Sequence, residues 1–181
     1  MSISSIPYTA LPVPPSSIER PTVQPYTRKE ILDFIATPMY DPDTRPRVDI
    51  ARMRATPKDI LNEREHDTGA TPLILAIFAG NLHMFTVLIE AGVDLNARDN
   101  QGRTALINAI DMIQLEFCRR LIVAGADILV KDMFHHTAIQ YAQTRYLGLA
   151  RVNPLDPKAQ DTAAIFQLLK TPIDRDWETY L

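Results

Sequence analysis

The residues with the most chemical potential in this chain are a lone cysteine, Cys118, and two adjacent histidines, His135 and His136. A cysteine attacks only as a thiolate, which needs a nearby base or cation. No such partner stands at a suitable spacing around Cys118, which lies between Leu115 and the pair Leu121 and Ile122. On a helix that position reads as a small apolar core residue. Adjacent histidines rarely ligate one ion together, and no cysteine or further histidine stands at metal-ligand spacing from them. Phosphate-binding glycine loops, paired carboxylates and triad-like orders are absent from the sequence. The expectation is therefore no cofactor, no metal and no enzymatic activity. An enzyme using Cys118 or the histidine pair is the rival class; it requires an accessible thiol or an ordered pocket at the histidines.

Composition bounds what kind of scaffold carries these residues. The chain has 181 residues, of which 46% are hydrophobic and 23% charged, with a net charge of -3. That is enough for one domain with a real core. The acidic balance argues against nucleic acid as the main partner, because phosphate binding needs a basic surface. It also supplies no polybasic cue for a membrane. The apolar runs fall short of the ~20 residues a spanning helix needs. A single cysteine allows no internal disulfide and favours a reducing compartment. The first charged residues are Glu19 and Arg20, and Pro7, Pro12, Pro14 and Pro15 interrupt the early apolar stretch, so no secretory signal is read. A cytoplasmic location is expected.

Six of the fourteen prolines fall in residues 1–25. Proline locks φ and lacks an N–H, so this segment is read as extended: either a loose tail, or a strap over the domain that uses Ile6, Tyr8 and Leu11. Helices begin at Thr27-Arg28-Lys29-Glu30, which has the form of a capping box, followed by Ile31, Phe34 and Ile35 at helical spacing. Pro38 ends that run, Pro42 and Pro46 mark a loop, and Ile50 with Met53 suggest a short helix. Thr56-Pro57-Lys58-Asp59 reads as one more helix start, with proline at its first position.

From residue 66 the chain becomes self-similar. Thr71, Thr104 and Thr137 recur every 33 residues (104 − 71 = 33, 137 − 104 = 33). Gly69 and Gly102, Leu88 and Leu121, Gly92 and Gly125, Asp94 and Asp127, and Asp99 and Asp132 share that period. The threonines can cap helix N-termini. Pro72 is pre-set for a first helical turn. Leu73, Ala76, Leu88 and Ile89 face a shared core, and the glycines stand where left-handed backbone is needed.

Thr71-Pro72-Leu73-Ile74, Gly80-Asn81-Leu82 and Gly92-Val93-Asp94-Leu95-Asn96 resemble the start, turn and end of an ankyrin repeat, and the 33-residue period agrees. Gly102-Arg103-Thr104-Ala105-Leu106 and Gly125-Ala126-Asp127 continue the likeness. The third unit holds Thr137-Ala138-Ile139 but reaches Leu168, its counterpart of Leu121, 47 residues later (168 − 121 = 47), which places about 14 extra residues between its helices. The usual histidine of the Thr-Pro-Leu-His motif is replaced by Ile74, Ile107 and Gln140, and His135 stands where the other units have Gly69 and Gly102. The resemblance implies an all-α ankyrin-repeat solenoid, with helix-turn-helix repeats and β-hairpin-like loops. Its parts are a Pro-rich segment over 1–25, a helical cap or degenerate repeat over 26–65, units over 66–98, 99–131 and 132–170 with an insertion near 147–160, and a tail over 171–181 in which Trp177 and Tyr180 help to cap the stack.

The resemblance further implies a non-enzymatic module, monomeric on its own, that binds another protein through the concave face. Mapped onto this chain, that face holds Asp67, Thr68, Ala70 and Phe78 in the first unit. The second supplies Arg98, Asn100, Gln101, Arg103, Asp111 and Met112. The third supplies Lys131, Met133, Phe134, His136, Thr144 and Arg145. Met133 and Phe134 either form an interface patch or fold back over the third unit. Arg98, Arg103, Lys131 and Arg145 form either a basic strip for an acidic partner or an ordinary solvated face. The insertion is either a functional loop or a tolerated one. The alternative function is an inhibitor or self-protection (immunity-like) protein that blocks a partner enzyme. Charge reversal at Arg103 together with Phe134→Ala is expected to abolish capture with little effect on thermal unfolding.

Overall fold

Helix starts, not strands, organise this chain. A computed structural model describes residues 23–37 and 48–170. The strap residues Ile6, Tyr8 and Leu11, the loop prolines Pro42 and Pro46, and the capping pair Trp177 and Tyr180 lie outside them. The Thr27 side chain accepts from Glu30 N while Glu30 Oε2 accepts from Thr27 N at 2.8 Å, which starts α1 (Arg28–Ala36). Asp49 caps α2 (Ile50–Ala55). Thr56 does not cap α3 (Lys58–Leu61); its hydroxyl is buried, accepting from Tyr26 N at 2.9 Å and donating to Arg52 O at 3.0 Å, and Pro57 takes the cap position. Tertiary contact overrides the local signal there.

The repeats follow as inner and outer helices: α4 (Pro72–Phe78) with α5 (Leu82–Glu90), α6 (Ala105–Asp111) with α7 (Leu115–Val123), and α8 (Ala138–Val152) with α9 (Pro157–Lys170). Thr71 and Thr104 cap the inner helices through Ile74 N and Ile107 N, as their spacing requires. Inner helices stack on one another, α1 on α4 on α6 on α8; α2 packs on α5 and α7 on α9. The N-terminal helices α1 and α2 thus cover the inner and the outer helix of the first unit, respectively.

Small residues let the inner helices approach. Ala76, Ala109 and Ala142 recur at the repeat period, and all three are fully buried beside Leu73, Ile77, Leu106 and Ile110. Ile74 and Ile107, which replace the motif histidine, are fully buried too, so packing stands in for its hydrogen bonds. In the third unit Gln140 Oε1 accepts from Thr137 N at 2.8 Å instead. Outer-helix caps reach back to the previous unit: Asn81 Nδ2 donates to Phe34 O at 3.0 Å, and Gln114 Nε2 donates to Ile77 O at 3.2 Å.

The third unit differs from the expected long loop at 147–160. Its extra residues lengthen the helices: α8 has 15 residues against 7 in α4 and α6, and α9 has 14 against 9 in α5 and α7. In the first two units the chain leaves the inner helix through left-handed residues, Gly80 (φ 65°) and Ile113 (φ 57°). Tyr146 takes that place in the third. It stays helical and stacks on Phe166, with ring centroids 6.3 Å apart and planes at 10°. Eight more residues carry α8 about 12 Å further at 1.5 Å per residue.

Candidate partner-binding face

The hairpin-like tips are built around two buried carboxylates that the repeat period had marked without revealing their role. Asp99 Oδ1 accepts from Gln101 N (2.8 Å) and Arg103 N (2.9 Å), and its Oδ2 accepts from Arg103 Nε and Asn108 Nδ2, both at 3.1 Å. Asp132 repeats this with Phe134 N (2.9 Å), His136 N (2.8 Å) and Tyr141 Oη (2.7 Å). Each tip then bonds to its neighbour: Asn100 N donates to Thr68 O at 2.9 Å, and Met133 N donates to Gln101 O at 3.0 Å. Gly102 permits that approach, because its φ is +76° and a Cβ there would lie 2.8 Å from Met133 N. His135 holds φ +64° in the equivalent place.

Two arginines tie the tips together from the side. Arg64 Nε donates to Gly69 O (3.1 Å) and its Nη2 to Asn100 Oδ1 (2.9 Å). Arg98 Nε donates to Gly102 O (3.0 Å) and its Nη2 to Lys131 O (2.7 Å). Asn100 completes the set by donating Nδ2 to Asp67 O at 2.9 Å.

Seven of the residues mapped to the concave face adjoin one pocket, Ala70 among them as a buried residue. Asp67, Thr68, Ala70 and Phe78 line a pocket of about 260 Å³ together with Asp99, Asn100, Gln101 and Arg103. Phe78 (42% exposed) is the last residue of α4, and Met112 (43%) is the C-cap of α6. Met133 and Phe134 do not fold back: they are 56% and 63% exposed at the third tip. The Phe134 ring lies 6.4 Å from His136, whose ring meets Tyr141 edge-on at 6.0 Å. Thr144 is exposed one turn of α8 beyond Tyr141.

Two of the four cations of the basic strip are paired with carboxylates within the fold. Arg103 is one-fifth exposed and pairs with Asp99 Oδ2 (3.1 Å) and Asp111 Oδ2 (3.7 Å). Arg145 bonds through Nε to Asp111 Oδ1 at 3.1 Å, and again through Nη2. Arg98 is spent on carbonyls. Among the described residues, Lys131 alone of the four keeps its side-chain charge without an ion-pair or hydrogen-bond partner.

The chemical candidates fare differently. Cys118 is fully buried in α7, and burial pushes its thiol up to about 12, so it is held as a thiol and unreachable. His135 and His136 are both exposed on the tip; His136 Nδ1 lies 4.0 Å from Asp132 Oδ2. Among the described residues no group of three or more histidine, cysteine, aspartate or glutamate side chains converges to hold a metal. Nor is any described helix long and apolar enough to cross a membrane.

The period, the paired helices and the tip geometry define a repeat scaffold. Residues 50–132 match the family model for ankyrin repeats in three copies. Those residues, just under half of the chain, carry ankyrin repeats, and the described helices stack as an all-α solenoid. It is 32% identical to inversin of Canis lupus familiaris over 82 residues, 45% of this chain and 8% of that protein. It is 37% identical to the ankyrin repeat and SAM domain-containing protein 6 of Rattus norvegicus over 71 residues, 39% of this chain and 8% of that one. A probable 26S proteasome regulatory subunit of Saccharomyces cerevisiae is 33% identical over 84 residues, 45% of this chain and 37% of the subunit. The chain therefore spans well under half the length of these relatives. Among solved structures, the ankyrin repeat domain of Bcl-3 superposes with a TM-score of 0.44 and 28% identity, covering 45% of this chain and 36% of that one. Ankyrin repeats generally serve as protein–protein interaction modules and are typically non-enzymatic.

Proposed function

We propose that this chain is a monomeric, non-enzymatic module that captures a partner protein on its concave face. The observation that carries this reading is the exposure of Met133 and Phe134 on a tip held rigid by Asp132. Large apolar side chains on a hydrogen-bonded scaffold offer buried area to a partner at little entropic loss. Phe78 and Met112 extend the apolar contacts, with Asn100, Gln101, Lys131 and His136 as the polar rim. Arg98, Arg103, Asp111 and Arg145 shape the face more than they offer free charge. A lone buried thiol suits a reducing cytoplasm.

The test is affinity capture from the native cell with the tagged chain, followed by mass spectrometry. Recombinant partner is then titrated against Met133→Ser/Phe134→Ser. Binding is expected to fall at least tenfold while the melting temperature stays within about 2 °C. Unchanged binding overturns the concave-face reading. Arg103 reversal is a poor probe, since Arg103 braces Asp99 and Asp111 and its loss destabilises the tip. The narrower role, inhibition of a captured enzyme, is tested on the same partner by assaying its activity with and without the chain.

A further inference from the structure

The pocket between the first two tips has a chemistry of its own. Its formal charges are Asp67, Asp99 and Arg103. Asp99 and Arg103 answer each other at 3.1 Å, and Arg103 also leans on Asp111. Asp67 is left over. Its carboxylate is nine-tenths exposed, and its partner within the chain is the neighbouring His66, fully exposed at 3.2 Å, an arrangement of little energetic weight. Arg64, which reaches the Asn100 amide oxygen, is committed to that oxygen and to the Gly69 carbonyl. The Asn100 amide is spent at both ends. The lining thus carries a net charge of −1, concentrated at Asp67 on its rim. Phe78 adds a half-exposed aromatic side chain to the lining.

An exposed, weakly paired carboxylate and a half-exposed aromatic side chain lining one pocket suit a guanidinium or ammonium group. The carboxylate can take two parallel N–H bonds, and the ring quadrupole attracts a cation lying over it. The volume of about 260 Å³ admits one long side chain. An anionic group would meet Asp67 without a free cation in the lining to offset it.

Resting on the concave-face reading, we propose that this pocket receives one arginine or lysine side chain of the partner, paired with Asp67 and stacked on Phe78. The first two repeats then select the partner by a basic anchor, and the third holds it through Met133 and Phe134.

The test uses the full chain, labelled with nitrogen-15, and three blocked tripeptides of glycine flanking arginine, citrulline or glutamate. The arginine peptide is expected to shift the Thr68, Asn100 and Gln101 amides in a saturable way, with a Kd on the order of 1 mM. The citrulline and glutamate peptides should do so at least ~5-fold more weakly, since they lack the charge the site reads. Asp67→Asn and Phe78→Leu should each weaken the arginine peptide about 3-fold or more. Equal binding of citrulline, preference for glutamate, insensitivity to both substitutions, or no shift at all overturns the proposal. Asp67→Asn is then carried into partner capture. If Met133→Ser/Phe134→Ser abolishes capture but Asp67→Asn does not, the anchor is wrong and the concave-face reading stands. If neither matters, the concave-face reading fails.

Discussion

Tyr141 donates its hydroxyl to Asp132 Oδ2 at 2.7 Å, in the place where, one repeat earlier, Asn108 donates its amide to Asp99 at 3.1 Å. The repeat keeps the buried carboxylate and changes its donor. Burial pushes the Asp132 carboxyl up, but the bonds from Tyr141 and from the His136 and Phe134 N–H groups outweigh it and hold the group below the usual aspartate range. Burial, with Asp132 beside it, pushes the Tyr141 hydroxyl up to about 12.

A depressed carboxylate stabilises the fold above its unfolded pKa, and that contribution is lost as pH falls through the folded value. Wild-type stability should therefore decline on the acid side, below pH ~4. Asp132→Asn should cost about 1–3 kcal/mol at pH 7, as loss of charge-assisted bonds does, and should flatten that acid decline. Urea denaturation at pH 7 and pH 3 reads both. A variant that keeps the wild-type acid slope removes Asp132 from the explanation.

Arg98 and Lys131 looked alike as basic face residues, and the structure separates them. Arg98→Ala removes the clamp between the second and third tips and is expected to destabilise by about 1–2 kcal/mol. Lys131→Ala should stay within about 0.5 kcal/mol, as exposed substitutions do. Equal losses in chemical denaturation would argue against the clamp.

Leu88 is fully buried between repeats. Leu88→Ala should lower unfolding free energy by about 2–5 kcal/mol through the cavity it leaves. Met133→Ser/Phe134→Ser should change it by less than about 1 kcal/mol, because both side chains are already largely in water. Calorimetry on the two variants separates core from face.

His135 sits exposed at φ +64°. A left-handed non-glycine residue costs about 1–2 kcal/mol, partly offset by the entropy glycine loses on folding. His135→Gly is therefore expected to stabilise by roughly 0.5–1 kcal/mol, and His135→Val to destabilise. Loss of stability in His135→Gly would mean that the imidazole makes a contact outweighing the strain.

Much of the scaffold was legible because each signal is local and repeated. Thr71 and Thr104 cap through N–H groups three residues away, and the glycine positions demand positive φ wherever they recur. The left-handed Ile113 is not legible, because a β-branched residue is not a turn signal and only its alignment with Gly80 hints at φ 57°. The continuation of α8 past Tyr146 is not legible in the sequence. A proline and polar residues, Asn153, Pro154 and Asp156, suggested irregular chain, while the stacking of Tyr146 on Phe166 depends on a partner twenty residues away.

The sequence by itself determined the repeat: a period of 33, the caps, and the buried alanine and leucine positions follow from short-range geometry and hydrophobic pattern. Only the tertiary structure decided which charged residues remain free for a partner. Arg98 and Arg145 find acceptors in an adjacent repeat, 33 and 34 residues away, and Arg103 finds them within its own repeat, whereas the Asp67 carboxylate pairs with its exposed neighbour His66. Charge is a property of one residue, but its availability depends on what the neighbouring repeat brings within hydrogen-bond reach.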